Sequence, residues 1–192
     1  MIHIIGPRDA PHQGSINVTS HSSDFGLALS PFLLGPIPLY GGRTAMLMEG
    51  AWQFSKVYPQ HLDEQDNPSE KYWAWAEAGW SSSKPQRYPM GKGAKPWYSW
   101  WDGQKLEYVA ARKKIYCPLY AAAIETTPAL QQLREMHAAG QDLWLWDFDG
   151  YDHHRNKLSY RDVVNDPKKT MGHAFVIAMV LENDLAWLDP KE

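Results

Sequence analysis

The stretch Thr44-Ala45-Met46-Leu47-Met48-Glu49-Gly50-Ala51-Trp52-Gln53-Phe54-Ser55-Lys56-Val57-Tyr58 organises the reading of this chain. Leu47, Ala51, Phe54 and Tyr58 fall at i, i+4, i+7 and i+11, which makes one apolar stripe of a helix. Pro59 ends it. Glu49, Gln53 and Lys56 share the opposite face, and Trp52 borders them. The plain reading is an amphipathic helix with a solvated polar side. The chemical reading is a pocket floor that carries a carboxylate, an amide and an amine beside an indole. A tryptophan on the polar side favours the pocket.

Around this segment the pattern remains mostly helical. Residues 1–15 hold Gly6, Pro7, Pro11 and Gly14 and read as an N-terminal arm. Ile16–Ser20 suits a short strand, and Phe32–Leu39, broken by Pro36 and Pro38, a short strand or buried loop. Lys71–Trp80, Trp101–Tyr116 (ended by Pro118) and Pro128–Ala139 are expected helices. Thr126 or Thr127 would cap the last, and Gly140 would stop it. Residues 60–70, 81–96 and 150–169 read as loops. His173–Leu181 is a buried segment, helix or strand by periodicity alone. The expectation is a mainly α, α-rich α+β fold: one helical domain over 16–192 with a few short strands.

Composition narrows the class. A chain of 192 residues suits one domain. It holds ten Trp, ten Tyr and five Phe, and nine of these lie between Tyr72 and Trp101. That exceeds what a core needs and asks for a flat ligand or a partner surface. With 19 basic and 22 acidic residues, the net charge is −3, so no global basic field attracts nucleic acid. A single cysteine, Cys117, excludes a disulfide framework and suggests a reducing compartment. Met1–Arg8 has too short an apolar run for a signal peptide, and Leu27–Leu39 carries three prolines, so it cannot span a bilayer. A cytoplasmic protein without a membrane partner is expected.

Three other clusters invite chemistry. Asp147-Phe148-Asp149-Gly150 after an apolar run resembles the nucleophile motif of haloacid-dehalogenase-type phosphatases, but only 42 residues follow Gly150, without strand–helix alternation. Asp147, Asp149, Asp152, His153 and His154 crowd together but fail the calcium-loop template and read as a polar loop. Gly91-Lys92-Gly93-Ala94-Lys95 lacks P-loop spacing, yet Arg87, Lys92 and Lys95 beside Trp97, Trp100 and Trp101 could grip phosphate and stack a base.

The segments taken in order resemble the NADAR or YbiA-like family. Ile16-Asn17 through Ser20, Ser22 and Asp24-Phe25-Gly26 resembles its opening. Leu29-Ser30-Pro31-Phe32 with Pro36-Ile37 is similar to its Phe-Ser-Asn-Phe and Pro-Ile. Glu49-Gly50-Ala51-Trp52-Gln53-Phe54-Ser55-Lys56 resembles its Glu-His-Tyr-Phe-Gln-Ala-x-Lys, with Glu, Gln and Lys at identical spacing. Trp101, Lys105 and Tyr108-Val109 resemble its Trp-x-x-x-Lys-x-x-Val-Met, Pro128–Leu133 its Asn/His-x-x-Leu helix, and Met171-Gly172 its Leu-Gly. Asp149 falls near its Asp-x-x-Trp-Gly. The resemblance runs over about residues 16–182. The chain departs from the pattern at Pro31, at Gly50, and at Lys169 or Thr170.

The resemblance implies cleavage of an N-glycosidic bond between ribose and a base or amine. The substrate would be an ADP-ribosylated guanine, on a nucleoside or on DNA through a local contact, or a ribosylamine of the riboflavin pathway. Between these, the aromatic block favours the ADP-ribosyl adduct. Glu49 would act as acid/base or stabilise oxocarbenium-like charge, and Lys56 would attack ribose C1. Trp52 or Trp101 would stack the base, and Gln53 would bind substrate or hold Glu49. Ser30, Phe32, Asp149 and Gly172 would complete the substrate site, and basic residues near 87–95 would meet phosphate. No metal and no cofactor is required. The departures motivate a rival reading: a degenerate, tryptophan-rich module that grips a nucleotide or protein without turnover.

Overall fold

A computed structural model describes residues 1–188 of the chain. The four C-terminal residues of the expected 16–192 domain therefore lie outside the described residues. Strand β1 (Ile2–Ile5) lies at the start, where an arm was expected, and β2 (Ile16–Asn17) follows. Strands β3 (Ile37–Pro38) and β4 (Thr44–Ala45) form a small antiparallel pair ahead of α1 (Met48–Gln53). Then come β5 (Lys56–Val57), α2 (Glu70–Trp80), β6 (Tyr98–Trp101) and β7 (Gln104–Leu106). Helix α3 (Tyr108–Ala111) runs through a π-helical turn, Arg112–Tyr116, into α4 (Cys117–Ile124). The chain ends with α5 (Pro128–Ala138), β8 (Leu143–Trp146), α6 (Tyr160–Asn165) and α7 (His173–Leu181).

This overturns the mainly α expectation. Helix occupies 39% and strand 13%, and the strands form three small sheets among the described residues. The fold is mixed α/β. In the first sheet β8 is central, with β1 and β2 parallel to it on either side. Leu143 and Leu145 point into the core while Trp144 and Trp146 alternate to the other face, as strand periodicity requires. Every residue of α7 is buried, the behaviour of a helix that is apolar all round. No described helix is long and apolar enough to cross a membrane.

The helix expected over 44–58 is shortened at both ends. Thr44–Ala45 pairs with Ile37–Pro38. Phe54 leaves helical geometry at ψ 3°, and Lys56–Val57 pairs with Tyr98–Ser99. The sheet satisfies backbone groups that a longer helix would satisfy internally, and it also buries Val57 and Tyr98. The short α1 is held from outside. The Met48 and Glu49 N–H groups donate to the carbonyls of Leu34 and Pro31 at 2.8 and 2.9 Å, and the Tyr72 hydroxyl donates to the Phe54 carbonyl at 3.0 Å. The expected helix over 101–116 also shifts. Trp101 ends a strand, the helix opens at Tyr108, and it passes through Pro118 instead of stopping there. Proline lacks the N–H for an i→i−4 bond, and the wider π turn just before it absorbs that loss. Residues 150–169 contain α6, opened by a Ser159–Asp162 capping box.

The aromatic excess is mostly structural. Trp75 of α2 packs on Phe54 at 4.6 Å and on His61 at 4.5 Å, and Trp73 meets Trp100 edge-on at 6.4 Å. These rings brace α2 against α1 and the β5–β6 pair. Gly79 lets α2 approach closely: a Cβ there would lie 2.1 Å from the Phe54 ring. Gly79→Ala is expected to lower the unfolding free energy by about 1–3 kcal/mol through overpacking. Gly50→Ala, whose new methyl would meet nothing nearer than the Gly79 carbonyl at 3.5 Å, is expected to change it by less than about 1 kcal/mol. Urea unfolding of the two variants checks this, and equal losses would contradict the packing described.

Candidate active site

Residues from seven segments of the chain converge on one cleft with two adjoining lobes of about 240 Å³ each. Glu49, Arg87, Tyr116, Asp149 and Met171 face both lobes. The first lobe adds Trp52, Gln53, Lys56, Tyr108 and Arg112, under a turn that holds Gly91 and Gly93. The second adds Thr19, Ser30, Phe32, Asp147, Gly172 and His173. It lies beyond the carboxyl ends of β2 and β8, where parallel sheets commonly place their ligands.

Helix α1 and the strand after it supply the floor. Lys56 Nζ donates to Gln53 Oε1 at 2.7 Å, and Gln53 Nε2 donates to Glu49 Oε1 at 2.9 Å. A lysine ammonium only donates, so it fixes the amide with oxygen toward Lys56 and nitrogen toward Glu49. Burial raises the Glu49 carboxyl above the usual range, against the opposing pull of the Gln53 hydrogen bond and the Lys56 charge. Burial pushes Lys56 down to about 8, partly offset by Glu49. No carboxylate pairs directly with Lys56 among the described residues. Its ammonium lies 4.8 Å from the Trp52 ring centroid, and Trp52 meets Tyr116 edge-on at 5.2 Å.

The second lobe is built on Asp147, the first residue after β8. Its Oδ2 accepts from the Ala174 N–H at 3.0 Å and faces His173 Nδ1 at 3.1 Å. His173 Nε2 faces the Val18 carbonyl at 2.7 Å. A carbonyl only accepts, so Nε2 carries a proton. Gly172 allows this approach: a Cβ there would lie 2.2 Å from Asp147 Oδ2. Asp149 receives Arg87 Nη2 at 2.8 Å, so the 81–97 loop is tied across the cleft.

Of the site residues expected from sequence, Glu49, Trp52, Gln53, Lys56, Ser30, Phe32, Asp149 and Gly172 all line the cleft. Trp101 does not. It packs edge-on against Tyr40 at 4.9 Å and onto the Leu106–Ala111–Ile115 cluster. Lys92 and Lys95 are exposed and outside the lining, and of the basic residues near 87–95 only Arg87 enters the cleft. The acid–histidine segment disperses: Asp152 pairs with Arg155, and His154 faces the Ile2 carbonyl. No group of three metal-ligating side chains forms among the described residues.

Tyr116, the Asp147–His173 pair and Arg112 were not foreseen. Arg112 is 1% exposed and has no carboxylate partner among the described residues. Its guanidinium donates to the carbonyls of Val164, Asp166 and Lys169 around the end of α6, and to the Tyr108 hydroxyl at 2.8 Å. In sequence it looks like an ordinary helix-surface cation.

A family model matches residues 7–177, an interval that contains every residue of the cleft. The chain belongs to DUF6939, a family of unknown function. No curated protein and no solved structure matches it.

The Lys56 environment has a measurable signature. Its folded value lies near 8 and the unfolded value near 10.5, so the buried charge opposes folding below about pH 8. Between these values the unfolded chain binds more protons, and stability rises with pH. Lys56→Met is therefore expected to be more stable than the parent at pH 7 by roughly 1–2 kcal/mol, discounted for partial exposure. The difference should shrink toward pH 10. Urea titrations at both pH values check the sign, and a gap that widens with pH would refute it.

Proposed function

We propose that this chain is an N-glycosidase that hydrolyses the bond between ribose C1 and the nitrogen of a base or amine. The observation that carries the reading is the Lys56–Gln53–Glu49 chain on the cleft floor. It couples an amine whose proton is easily lost to a carboxyl inclined to keep its own. The resemblance of residues 49–56 to the NADAR signature supports the same reading.

In the proposed reaction, neutral Lys56 attacks C1 and the C1–N bond breaks. The bonding electrons stay on the leaving nitrogen, which takes the Glu49 proton. The Glu49 carboxylate then accepts the proton lost from the lysine nitrogen. The lysine-bound sugar opens to a Schiff base, and water adds at C1 and expels the amine. The net change is substrate plus water to free sugar plus the released base or amine, which gains one N–H. Gln53 holds the two groups at fixed spacing, and Trp52 offers a face for a planar leaving group. The aromatic block at 72–101 no longer argues for several bound rings, because most of it braces the fold. An ADP-ribosylated guanosine and a riboflavin-pathway ribosylamine are therefore both assayed.

Borohydride should trap a covalent sugar adduct on Lys56, detectable by peptide mass, and Lys56→Ala should abolish it. Glu49→Gln is expected to lower kcat/KM by about 10²–10⁴-fold. Full activity in both variants would end the proposal. Ligand binding by the parent with no turnover of either substrate would favour the rival reading of a binding module.

A further inference from the structure

We propose that the Tyr116 hydroxyl recognises the 2-hydroxyl of a ribosyl ligand and makes the cleft selective for ribose over 2-deoxyribose. The placement of the sugar rests on the glycosidase reading; the selectivity shows in binding and does not depend on turnover.

Tyr116 ends the π-helical turn Arg112–Tyr116 between α3 and α4. Such turns are rare and occur frequently at functional sites. Its ring is held on two sides. It stacks parallel to Tyr120 with centroids 6.1 Å apart, and it meets Trp52 edge-on at 5.2 Å. The residue is 8% exposed and faces both lobes. Neighbouring interior phenols spend their hydroxyls on carbonyls: Tyr120 donates to Leu29 at 2.6 Å, and Tyr72 to Phe54 at 3.0 Å. No described residue pairs with the Tyr116 hydroxyl, and its oxygen is not sealed in the interior, so it opens into the cleft. A polar group this buried is unfavourable while unpaired, and a ligand that pairs it removes the penalty. Burial, and after it the nearness of Tyr120, Glu49 and Asp147, raises its pKa well above the ordinary phenol range, so the hydroxyl keeps its proton.

The position of Tyr116 selects the atom it meets. Glu49 also faces both lobes, whereas Lys56 and Trp52 line only the first. A ribosyl C1 within reach of both Lys56 and Glu49 sits at the junction of the lobes, with the planar leaving group on the Trp52 side. Tyr116 shares that junction, so its hydroxyl meets the atoms that adjoin C1: the ring oxygen and the hydroxyl on C2. As the C1–N bond breaks, the ring oxygen gives electron density to C1 and becomes a poorer acceptor, while hydrogen bonds to the 2-hydroxyl strengthen. A phenol both donates and accepts, which suits a hydroxyl partner. Two other polar side chains of the lining are already committed. The Thr19 hydroxyl donates to Asn17 Oδ1 at 2.8 Å and accepts from the His21 N–H at 3.2 Å, and Gln53 bridges Lys56 and Glu49. A site that sets a buried polar group against a ligand hydroxyl rejects the analogue without it, because its own group is then left unpaired.

The test is titration calorimetry with guanosine and 2′-deoxyguanosine, which share a base and differ only in the 2-hydroxyl; chromatography of the mixtures reports any cleavage. The parent is expected to bind guanosine at least about tenfold more tightly. Its arabino epimer, with the 2-hydroxyl on the opposite face of the sugar, should bind as weakly as the deoxy compound. Tyr116→Phe should cut the ratio to less than about threefold through weaker guanosine binding, with unchanged circular dichroism. Tyr120→Phe, the stacked neighbour outside the lining, should lower stability and keep the ratio. Equal affinities in the parent, binding of neither nucleoside, or tight binding of the arabino epimer overturns the proposal. So does a ratio that survives Tyr116→Phe, or one that Tyr120→Phe abolishes equally. Ribose preference without cleavage of any substrate counts against the glycosidase reading alone. Cleavage of an ADP-ribosylated guanosine, with a ratio indifferent to Tyr116→Phe, counts against this proposal alone.

Discussion

The Asp147 carboxylate lies between the end of the central strand and the first turn of the buried helix α7, in contact with the Ala174 amide and the His173 ring. Taking a carboxylate out of water is unfavourable by several kcal/mol unless its lone pairs are matched. Here the Ala174 and Asp149 amide N–H groups donate to it, and the His173 ring lies beside it. The match requires the backbone to come very close, which Gly172 permits. Through His173 the same contact reaches the Val18 carbonyl just after β2. One carboxylate thus joins β8, α7 and the end of β2. The second lobe is the space that these joined ends leave open. Gly150, three residues on, presses against the Ile5 carbonyl and adds the end of β1 to the same junction.

The cleft above this junction separates two kinds of charge management. On the β8 side each acidic group has a partner, Asp147 with His173 and Asp149 with Arg87. On the α1 and α3 side the cations are held by neutral groups: an amide oxygen for Lys56, carbonyls and a phenol for Arg112. Neutral acceptors stabilise a cation without cancelling its field, so the field remains available to a ligand. Glu49, by contrast, takes its side-chain hydrogen bond from an uncharged donor. Its proton affinity therefore depends mainly on how dry the site is.

The polar triad of α1 was legible because Glu49, Gln53 and Lys56 keep helical spacing, although the helix stops at Gln53. Lys56 still reaches Gln53 because a strand residue three positions on can fold its long side chain back along the helix end. Capping and stop signals around α5 were equally readable, since they are local chemistry: Thr127 accepts from the Leu130 N–H, and Gly140 takes φ +77°. The three sheets were not legible. Their strands are two to four residues long, too short for alternation to register, and β8 pairs with segments more than a hundred positions away. Trp101 was misplaced because a strand in β6 competes with a helical pattern and wins through pairing with β7. Arg112 could not be recognised, since its significance lies in carbonyls some fifty residues further on.

The pairing of β1 with β8 also has a kinetic side. Ile2 meets Leu143 and Ile5 meets Trp146, so the first strand has no sheet partner until β8 has been synthesised. At translation speeds of about 5–20 residues per second, that interval is on the order of ten seconds. Ile2, Ile4 and Ile5, all buried in the finished molecule, stay unpaired throughout it. Closure of the parallel sheet is therefore a late step of folding on the ribosome, and the lobe at its carboxyl edge takes shape only with it.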